Sequence, residues 1–422
     1  MLSGLDGVSV IAEDDAIHIN ALSKAQDTKA VYQHLEKTGR PETNAPVGEF
    51  DVTSANAWFR DWAFSSALPL WWSLGFDHEI GLWREGLTIS GDITSDDCRA
   101  RVQPRQTFAY AAAGNLGWRG PARQAVAAGF QAIDEHFADD KGLLRHLCTH
   151  SGDVTDARTF AYDQTFLLLA LAEASELQPD AEAKALNTLN ELDRPDRIAV
   201  REVEHPPHQS NPNMHLFEAC LAWMEVEGSN IVWRETADGL ARLAAETLLD
   251  SDSGFILEFF EDDWRPRREA DRPDIEPGHQ FEWAWLLTRY ADLTQSVAML
   301  DLAVGLFQRG LNGVDPASGF VVTHLNDNGR RITTKGRFWH QIEWLKACLI
   351  LADRVPDRRE EYLGHAATAF NGIRAFLDHP VRGLWFDQTE SGQIVPGPAP
   401  ASTFYHLMSL AQQLEKSARA AS

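Results

Sequence analysis

A histidine and a glutamate recur three residues apart at three places in the chain. These pairs are His215 with Glu218, His279 with Glu282, and His340 with Glu343. Each pair lies at or near the start of an apolar run with helical periodicity, and residues three apart share one face of a helix. Each pair should therefore project an imidazole, which titrates near neutral pH, together with a carboxylate. Such a combination is suited to moving protons.

Other side chains that suit a polar ligand occur at the starts of further predicted helices. They are Arg105, Asn211, Trp339, and Tyr405 with His406. Arginine and asparagine form hydrogen bonds to hydroxyl and carbonyl oxygens, and an indole face can cover the apolar side of a sugar ring. Combined with the histidines, these residues indicate proton-transfer chemistry on a polyhydroxylated small molecule.

Some of these residues also have a purely structural interpretation. A single histidine on an apolar helix is commonly a core residue bonded to backbone, and His340 fits this description because Trp339 and Glu343 should face inward. Arg105 is equally compatible with a structural ion pair in so acidic a chain. Three histidines on predicted strands, His146, His150 and His324, are expected to be solvated.

A metal site is a further alternative for histidines and glutamates in a helical protein. Helical bundles with two metal ions use a Glu-x-x-His order together with additional glutamates. This chain has the reverse order, His-x-x-Glu, in all three pairs. The sequence therefore predicts neither a metal nor another cofactor.

The composition limits the class of partner. The chain has 422 residues, with 38 Lys and Arg against 62 Asp and Glu, and a formal net charge of −24. So acidic a protein is not suited to nucleic acid or to anionic membranes. No basic leader precedes an apolar run, no stretch approaches the roughly 18 apolar residues of a membrane span, and the four cysteines are far apart. We predict a cytoplasmic protein with a small-molecule partner and reduced thiols, either monomeric or homodimeric.

A glycine followed by two apolar residues marks a repeat along the chain. The signal, which opens a short extended segment after a helix, occurs at Gly81, Gly142, Gly254, Gly319 and Gly383. Three gaps are 61, 65 and 64 residues, and the gap of 112 corresponds to two units with one signal missing, near Ile198–His208. A period of this length indicates repeated supersecondary units.

Each unit contains an amphipathic helix, a short β-excursion and a nearly all-apolar helix such as Phe160–Ala172. Helices that are apolar on all sides are buried. Six buried and six amphipathic helices predict an all-α fold, an (α/α)6 barrel, formed as one domain by residues 51–422. The polar residues 1–50 are predicted to be an N-terminal extension packed outside the barrel, with one helix near Ala21–Lys37. In such a barrel the segments entering the inner helices share one rim, where the candidate residues should converge.

Six stretches of the chain resemble the N-acylglucosamine 2-epimerase superfamily. This group contains the epimerase itself, cellobiose 2-epimerases, mannose isomerases and sulfoquinovose isomerases. The matching stretches are Arg101–Gln106, Tyr162–Phe166, Asn211–Ala219, Pro277–Trp285, Arg337–Glu343 and Tyr405–Leu407. They follow the family's order between about Trp58 and Leu414, and the resemblance implies the same (α/α)6 barrel.

The resemblance also implies roles for the candidate residues. His279 and His406 are the expected acid/base pair. Arg105 and His215 are expected to hold the sugar's oxygens near the reacting carbons.

The remaining candidates are expected to bind the substrate. Asn211, Glu218 and Trp339 belong to this group, and Glu282 should either orient His279 or contact a hydroxyl. Isomerases of the family can also place an arginine in the loop before the Gly-His motif. The arginines of that loop are Arg265, Arg267, Arg268 and Arg272.

The combined prediction is a cofactor-independent aldose–ketose isomerase that interconverts D-mannose and D-fructose through a cis-enediol. Epimerisation at C2 is the alternative within the family. Outside it, an inverting glycoside hydrolase would need two carboxylates roughly 6.5–9.5 Å apart, for which Glu282 and Glu343 are the candidates. A non-catalytic barrel would bind sugar without turnover.

Overall fold

The computed structural model describes residues 8–12, 17–21, 50–95, 97–267 and 275–421. Contacts along the chain separate two units, Met1–Phe50 and Asp51–Ser422. In the first unit, β1 (Val8–Ala12) pairs antiparallel with β2 (Ile17–Ala21). Apart from Ala21, the helix predicted near Ala21–Lys37 lies outside the described residues.

Six helices of the second unit form a closed inner ring. They are α2 (Val102–Asn115), α4 (Ala161–Glu173), α6 (Ser210–Met224), α8 (Pro277–Thr294), α10 (Phe338–Arg354) and α12 (Phe404–Ala421). Each packs against the next, and α12 packs against α2 and closes the ring. Most of their side chains are buried on every face, as expected of inner helices.

Six outer helices surround this ring. They are α1 (residues 52–75, with π-helical segments Ala63–Ala67 and Trp71–Gly75), α3 (Ala122–Ala132), α5 (Ala181–Glu191), α7 (Ile231–Leu243), α9 (Val297–Gly310) and α11 (Arg359–Leu377). Each inner helix packs on the outer helix that follows it, and α12 packs on α1. The predicted all-α (α/α)6 barrel is confirmed. None of its described helices combines the length and apolar composition needed to cross a membrane.

Short antiparallel strands fill the segments that lead into the inner helices. The two-stranded pairs are β3 (Phe76–Asp77) with β4 (Leu82–Trp83), β5 (Gly86–Leu87) with β14 (Ala399–Pro400), and β9 (His208–Gln209) with β10 (Phe259–Phe260). The three-stranded sheets are β6 (Asp97–Arg99), β7 (Leu147–Thr149), β8 (Val154–Asp156), and β11 (Lys335–Arg337), β12 (Gln388–Glu390), β13 (Gln393–Val395). The β5–β14 pair joins the first excursion to the last and so links the two ends of the ring.

The repeated glycine occupies the turn that opens each excursion. Gly81, Gly142, Gly254, Gly319 and Gly383 have φ angles of 83°, 82°, 73°, 74° and 98°. This left-handed backbone costs least for a residue without Cβ. In the unit that lacks the glycine signal, the turn position is occupied by Arg197, whose φ is 63°. The sixth unit is therefore present, but an arginine at its turn conceals it from a search for glycine.

Buried amides attach the excursions to the inner helices that follow them. The side chain of Gln280 accepts a hydrogen bond from the N–H of Ile256 and donates one to its carbonyl, both at 2.9 Å. The same reciprocal pair joins Gln103 to Trp83, Gln164 to Leu144, and Asn213 to Val200. Because Gln280 directly follows His279, this attachment sets the position of the first turn of α8. The repeated amides hold the rim of the barrel rigid where the candidate residues lie.

Candidate active site

The starts of five inner helices meet at a cavity of about 270 Å³. Pockets for drug-sized ligands usually exceed about 300 Å³, so this cavity suits a smaller molecule. Three larger clefts of about 620 to 730 Å³ lie elsewhere on the barrel, but this cavity gathers five histidines. Of the predicted site residues, it brings together Asn211, His215, His279, Glu282, Trp339 and His406. Its wall is completed by Tyr162, Glu276, Thr323, His324, Arg337 and His340.

His279, in the first turn of α8, is held by a carboxylate from the preceding excursion. Its Nδ1 lies 3.0 Å from both oxygens of Glu258 and 4.0 Å from Glu276. Burial alone would lower the pKa of His279, but the two carboxylates outweigh it and raise the pKa to about 10. At neutral pH His279 is therefore an imidazolium. With Nδ1–H donated to Glu258, its Nε2–H is available to a ligand.

His406, in the first turn of α12, is held by a carboxylate from the neighbouring inner helix. Its Nδ1 lies 2.7 Å from Oε1 of Glu343, whose Oε2 lies 2.8 Å from the ammonium of Lys346. Burial, and then the positive charges of Arg105 and Lys346, lower the pKa of His406 well below its usual range. His406 is thus neutral at pH 7. With Nδ1–H donated to Glu343, its Nε2 can accept a proton.

Trp339 connects these two histidines. Its ring lies 5.1 Å from that of His279 and 5.7 Å from that of His406, nearly parallel to the latter at 23°. The indole therefore forms a wall with a protonated imidazole at one side and a neutral one at the other. A ligand placed on this wall lies between a proton donor and a proton acceptor.

The Pro-Gly-His motif has a steric basis. A Cβ on Gly278 would lie 2.0 Å from Cδ2 of His340 and 2.7 Å from the indole of Trp339. Glycine is therefore required for α8 to approach α10 this closely. Pro277 begins α8 in a position that favours proline.

His215 forms a third imidazole–carboxylate pair, within α6. Its Nδ1 lies 3.0 Å from Oε2 of Glu218, which also accepts a hydrogen bond from the Tyr405 hydroxyl. Burial, despite the nearby Glu218, lowers the pKa of His215 to about 4, so this histidine is neutral. Glu218, predicted to bind substrate, lies behind His215 and outside the described wall of the cavity.

Arg105 likewise lies one layer behind the cavity. Its Nη2 donates to the Tyr162 hydroxyl at 2.7 Å and its Nη1 to the carbonyl of Ser402 at 3.3 Å. The guanidinium also packs on the ring of Phe166, 3.9 Å from its centre. Within the described part of the chain no carboxylate pairs with it, so the ion-pair alternative is wrong. Arg105 reaches the cavity through Tyr162 and adds positive charge there.

Glu282 does not orient His279, which corrects one of the two expectations for it. Glu258 occupies that place, and the imidazole nitrogen that lies within 4.0 Å of Glu282 is Nδ1 of His215, at 3.9 Å. Both oxygens of Glu282 are buried without a hydrogen-bond partner among the described residues. Burial, and then the nearby Glu343, raise the pKa of Glu282 well above its usual range. Glu282 is therefore a neutral acid in the cavity wall, able to donate a hydrogen bond to a ligand.

The recurring His-x-x-Glu spacing predicted the site but not its pairing. His215 and Glu218 are in contact, whereas Glu343 binds His406 instead of His340. Helical spacing puts two residues on one face, but their neighbours on other elements decide which of them meet.

Two histidines lie in the cavity wall against expectation. His340 is 1% exposed, and neither ring nitrogen has a hydrogen-bond partner among the described residues. His324, predicted to be solvated, has a side chain that is 33% exposed and lines the cavity. His146 and His150 are not simply solvated either; they bond to Asp163 and Asp77, each at 2.7 Å.

Sequence reasoning missed several residues of the site, and Glu258 and Glu276 are the two that carry charge next to His279. Glu258 is the one charged residue of the apolar segment from Gly254 to Phe260. A single carboxylate in so apolar a segment could have been recognised as a candidate site residue. Glu276 directly precedes the Pro-Gly-His motif. In the arginine loop, neither Arg265 nor Arg267 lines the cavity, and Arg268 and Arg272 lie outside the described residues.

The described residues include two groups spaced closely enough to hold a metal ion. They are His215, Glu218 and Glu282, and Glu282, Glu343 and His406, with ligand atoms within 4.8 Å of one another. In both groups a carboxylate already binds a protonated partner, Tyr405 or Lys346. The buried ammonium of Lys346 supplies positive charge at this position. That no metal is needed stays a prediction.

The closed (α/α)6 barrel thus gathers histidines that pair with carboxylates around one cavity at its rim. The chain belongs to the N-acylglucosamine 2-epimerase (GlcNAc 2-epimerase) family, whose pattern matches residues 66–410. It is 40% identical over 367 residues to the mannose-6-phosphate isomerase of Rhizobium meliloti (strain 1021), covering 84% of this chain and 95% of that protein. It is 29% identical over 288 residues to the D-mannose isomerase of Thermobifida fusca, covering 60% and 67%.

Solved structures agree with this assignment at the level of the fold. A D-mannose isomerase crystal structure superposes with a TM-score of 0.79 at 20% identity, covering 88% of this chain and 100% of that one. A cellobiose 2-epimerase from Bacillus thermoamylovorans B4167 gives a TM-score of 0.76 at 17% identity, covering 86% and 99%. Together with the family, these comparisons identify an enzyme of the sugar isomerase and epimerase class.

Proposed function

We propose that this enzyme interconverts free D-mannose and D-fructose through a cis-enediol. The observation that carries the proposal is the pairing of a neutral His406 with a protonated His279 on either side of Trp339. Aldose–ketose isomerisation needs a base for the C2 proton and an acid for the carbonyl oxygen. The two imidazoles have these protonation states before substrate arrives.

The proposed reaction starts from the open-chain aldose. Nε2 of His406 removes the C2 proton while Nε2–H of His279 protonates the C1 oxygen, which yields the enediol. His406 then returns its proton to C1. At the same time His279, now neutral, accepts the proton of the C2 hydroxyl, and the ketose forms with both histidines restored.

Charge that develops on the sugar oxygens is stabilised by fixed donors. The Tyr162 hydroxyl lies in the cavity wall and is held by Arg105, so the guanidinium charge acts through it. Glu282, as a neutral acid, is a further donor in the wall. Donors held in place within a partly dry cavity stabilise an oxyanion better than water does.

Epimerisation at C2 is the second candidate, favoured by one observation. His279 and His406 belong to different helices, α8 and α12, and His279 carries a proton that could return to C2 from the opposite face. An inverting hydrolase fits less well. Its two carboxyl groups would stand roughly 6.5–9.5 Å apart, whereas ligand oxygens of Glu282 and Glu343 lie within 4.8 Å.

The test is turnover of C2-deuterated D-mannose in ordinary water, with products read by NMR beside a panel of other free aldoses. We expect fructose as the main product, with deuterium carried in part to C1 because one base serves both carbons. Glucose formed without any ketose, or turnover restricted to N-acetylated hexosamines, would replace the proposal by the epimerase. Sugar binding without any turnover would indicate the non-catalytic barrel.

A further inference from the structure

We infer that Glu276 makes this cavity selective for an uncharged sugar and excludes the corresponding 6-phosphate. The inference rests on the proposed function and concerns the class of substrate that the same site accepts. It addresses a difference among the relatives, since one is named for mannose 6-phosphate and another for mannose.

Glu276 presents a carboxylate to the cavity with free acceptor capacity. The residue directly precedes α8, lines the cavity, and has a side chain that is 28% exposed. Its oxygens lie 3.6 Å from His340, 3.8 Å from His324 and 4.0 Å from His279. All three separations exceed hydrogen-bond distance. A ligand hydroxyl can therefore donate to this carboxylate without displacing a hydrogen-bond partner that belongs to the described part of the chain.

Glu276 and the oxyanion donors have different neighbours in the cavity wall. Glu276 lies within 4.0 Å of His279, His324 and His340. Tyr162 instead lies beside Arg105 and His215, and Glu282 lies 3.9 Å from His215. In the proposed reaction, C1 and C2 lie between the two catalytic histidines, with their oxygens toward Tyr162. The rest of the sugar then extends toward Glu276, and its far end carries the C6 oxygen.

This end of the cavity is built for hydroxyls and not for a phosphate. Glu276 is negative: burial would raise its pKa, but the nearby His279 outweighs burial, and the pKa falls to about 2. His340 and His324 are neutral, since burial lowers the pKa of each. Among the described residues that line the cavity, the arginine is Arg337, and it is neutralised by Asp387, whose Oδ2 accepts from its Nε at 3.1 Å and its Nη2 at 2.9 Å.

The energetics follow from the sign of the charges. A hydroxyl that donates to a carboxylate forms a charge-assisted hydrogen bond. A phosphate at the same place would set a doubly negative group against the Glu276 carboxylate, and like charges in an interface are strongly unfavourable. Although His279 is positive, it lies beside both Glu258 and Glu276, so the three side chains together carry a negative charge.

The experiment compares kcat/KM for D-mannose and for D-mannose 6-phosphate. It uses the wild-type enzyme, Glu276→Gln, Glu276→Asp, and Glu246→Gln as a matched control. Glu246 is an exposed glutamate in the π-helical segment Ala244–Leu248, which directly follows α7. The wild-type enzyme should prefer mannose. Glu276→Gln should reduce that preference at least about tenfold, because it removes the like charge. Glu276→Asp keeps the negative charge and should therefore retain the preference for mannose. The Glu246→Gln control should retain this preference as well.

The preference is a ratio within one preparation, so a partly folded variant does not distort it. A preference for mannose that is unchanged in Glu276→Gln would overturn the inference and leave the proposed function standing. Wild-type preference for the 6-phosphate would also overturn it. Turnover of neither sugar by the wild-type enzyme would instead contradict the proposed function. If Glu276→Gln is too slow to assay, dissociation constants replace the rates. The ratio of the constants for D-fructose 6-phosphate and D-fructose is then compared between the wild-type enzyme and the variant.

Discussion

Nδ1 of His279 lies 3.0 Å from both carboxylate oxygens of Glu258, although the two residues belong to different elements. Glu258 immediately precedes β10 in an excursion, and His279 lies in the first turn of α8. Both residues are buried. The contact sets the orientation of the imidazole and directs Nε2, the atom the proposed chemistry needs, toward the cavity.

Removing the charge of Glu258 should weaken catalysis through His279. Glu258→Gln should lower kcat about 10- to 100-fold, by analogy with the loss of a carboxylate that orients a metal-bound histidine. Because Glu258 helps to raise the pKa of His279 to about 10, the alkaline limb of the pH–rate profile should also move to lower pH.

The matched control for this variant is Glu261→Gln, on the same excursion but more exposed. It should leave both kcat and the alkaline limb in place. A Glu258→Gln enzyme with a reduced rate but an unmoved alkaline limb would show that Glu258 has a merely structural role.

Each of the two histidines proposed to be catalytic should be needed for turnover. His279→Ala and His406→Ala should each lower kcat at least about 10²-fold, the usual contribution of a positioned acid or base. Both side chains line a cavity, so circular dichroism should report an intact fold. His78→Ala, at an exposed turn, is the control and should keep full activity. Near-wild-type turnover in either cavity variant would remove that histidine from the mechanism.

The pH–rate profile should have a wide plateau. His406 must be unprotonated to act as base, so the rate should fall only below its pKa, which lies well under 6.5. His279 must be protonated to act as acid, so the rate should fall again as the pH rises through about 10. Initial rates measured from pH 4 to 11 test this. A rate that falls as the pH is lowered from 8 to 7, or a rate that rises as the pH is raised above 10, would contradict these protonation states.

Turnover should not depend on a metal ion. The carboxylates that could hold one with Glu282 already bind Tyr405 and Lys346. Exhaustive chelation followed by assay in metal-free buffer should leave kcat unchanged. Loss of activity that a divalent ion restores would instead assign an ion to Glu282 and its neighbours.

The ion pair of Lys346 and Glu343 should matter for stability. Both side chains are fully buried, with Nζ at 3.1 and 2.8 Å from the two carboxylate oxygens. Lys346→Met leaves the buried Glu343 carboxylate without its cationic partner, although its contact with His406 remains. The variant should reduce the free energy of unfolding by about 3–5 kcal/mol. Urea denaturation measures this change.

A double variant tests whether the loss comes from the unpaired charge. Lys346→Met with Glu343→Gln should recover part of the stability, because no charge is then left buried alone. Equal stability of the single and double variants would assign the loss to packing against Trp285, over which Nζ lies at 3.5 Å.

The barrel was predictable because its determinants are local. Glycines 81, 142, 254, 319 and 383 recur where the backbone needs a positive φ, and helices apolar on all sides can only be inner ones. Arg197 shows the limit of this signal, since an arginine adopts the same left-handed turn. Spatial context, and not residue type, maintains that conformation.

The residues of the site were also largely determined by the sequence, as His279, His406, His215 and Trp339 show. Their types and their positions at inner-helix starts suffice to place them at one rim. Only the tertiary structure decided their partners: His279 with Glu258 and His406 with Glu343. These contacts join residues on separate elements, and they give the two imidazoles opposite protonation states. A side chain's pKa depends on burial and on neighbouring charges, and neither is encoded in the spacing of residues along one helix.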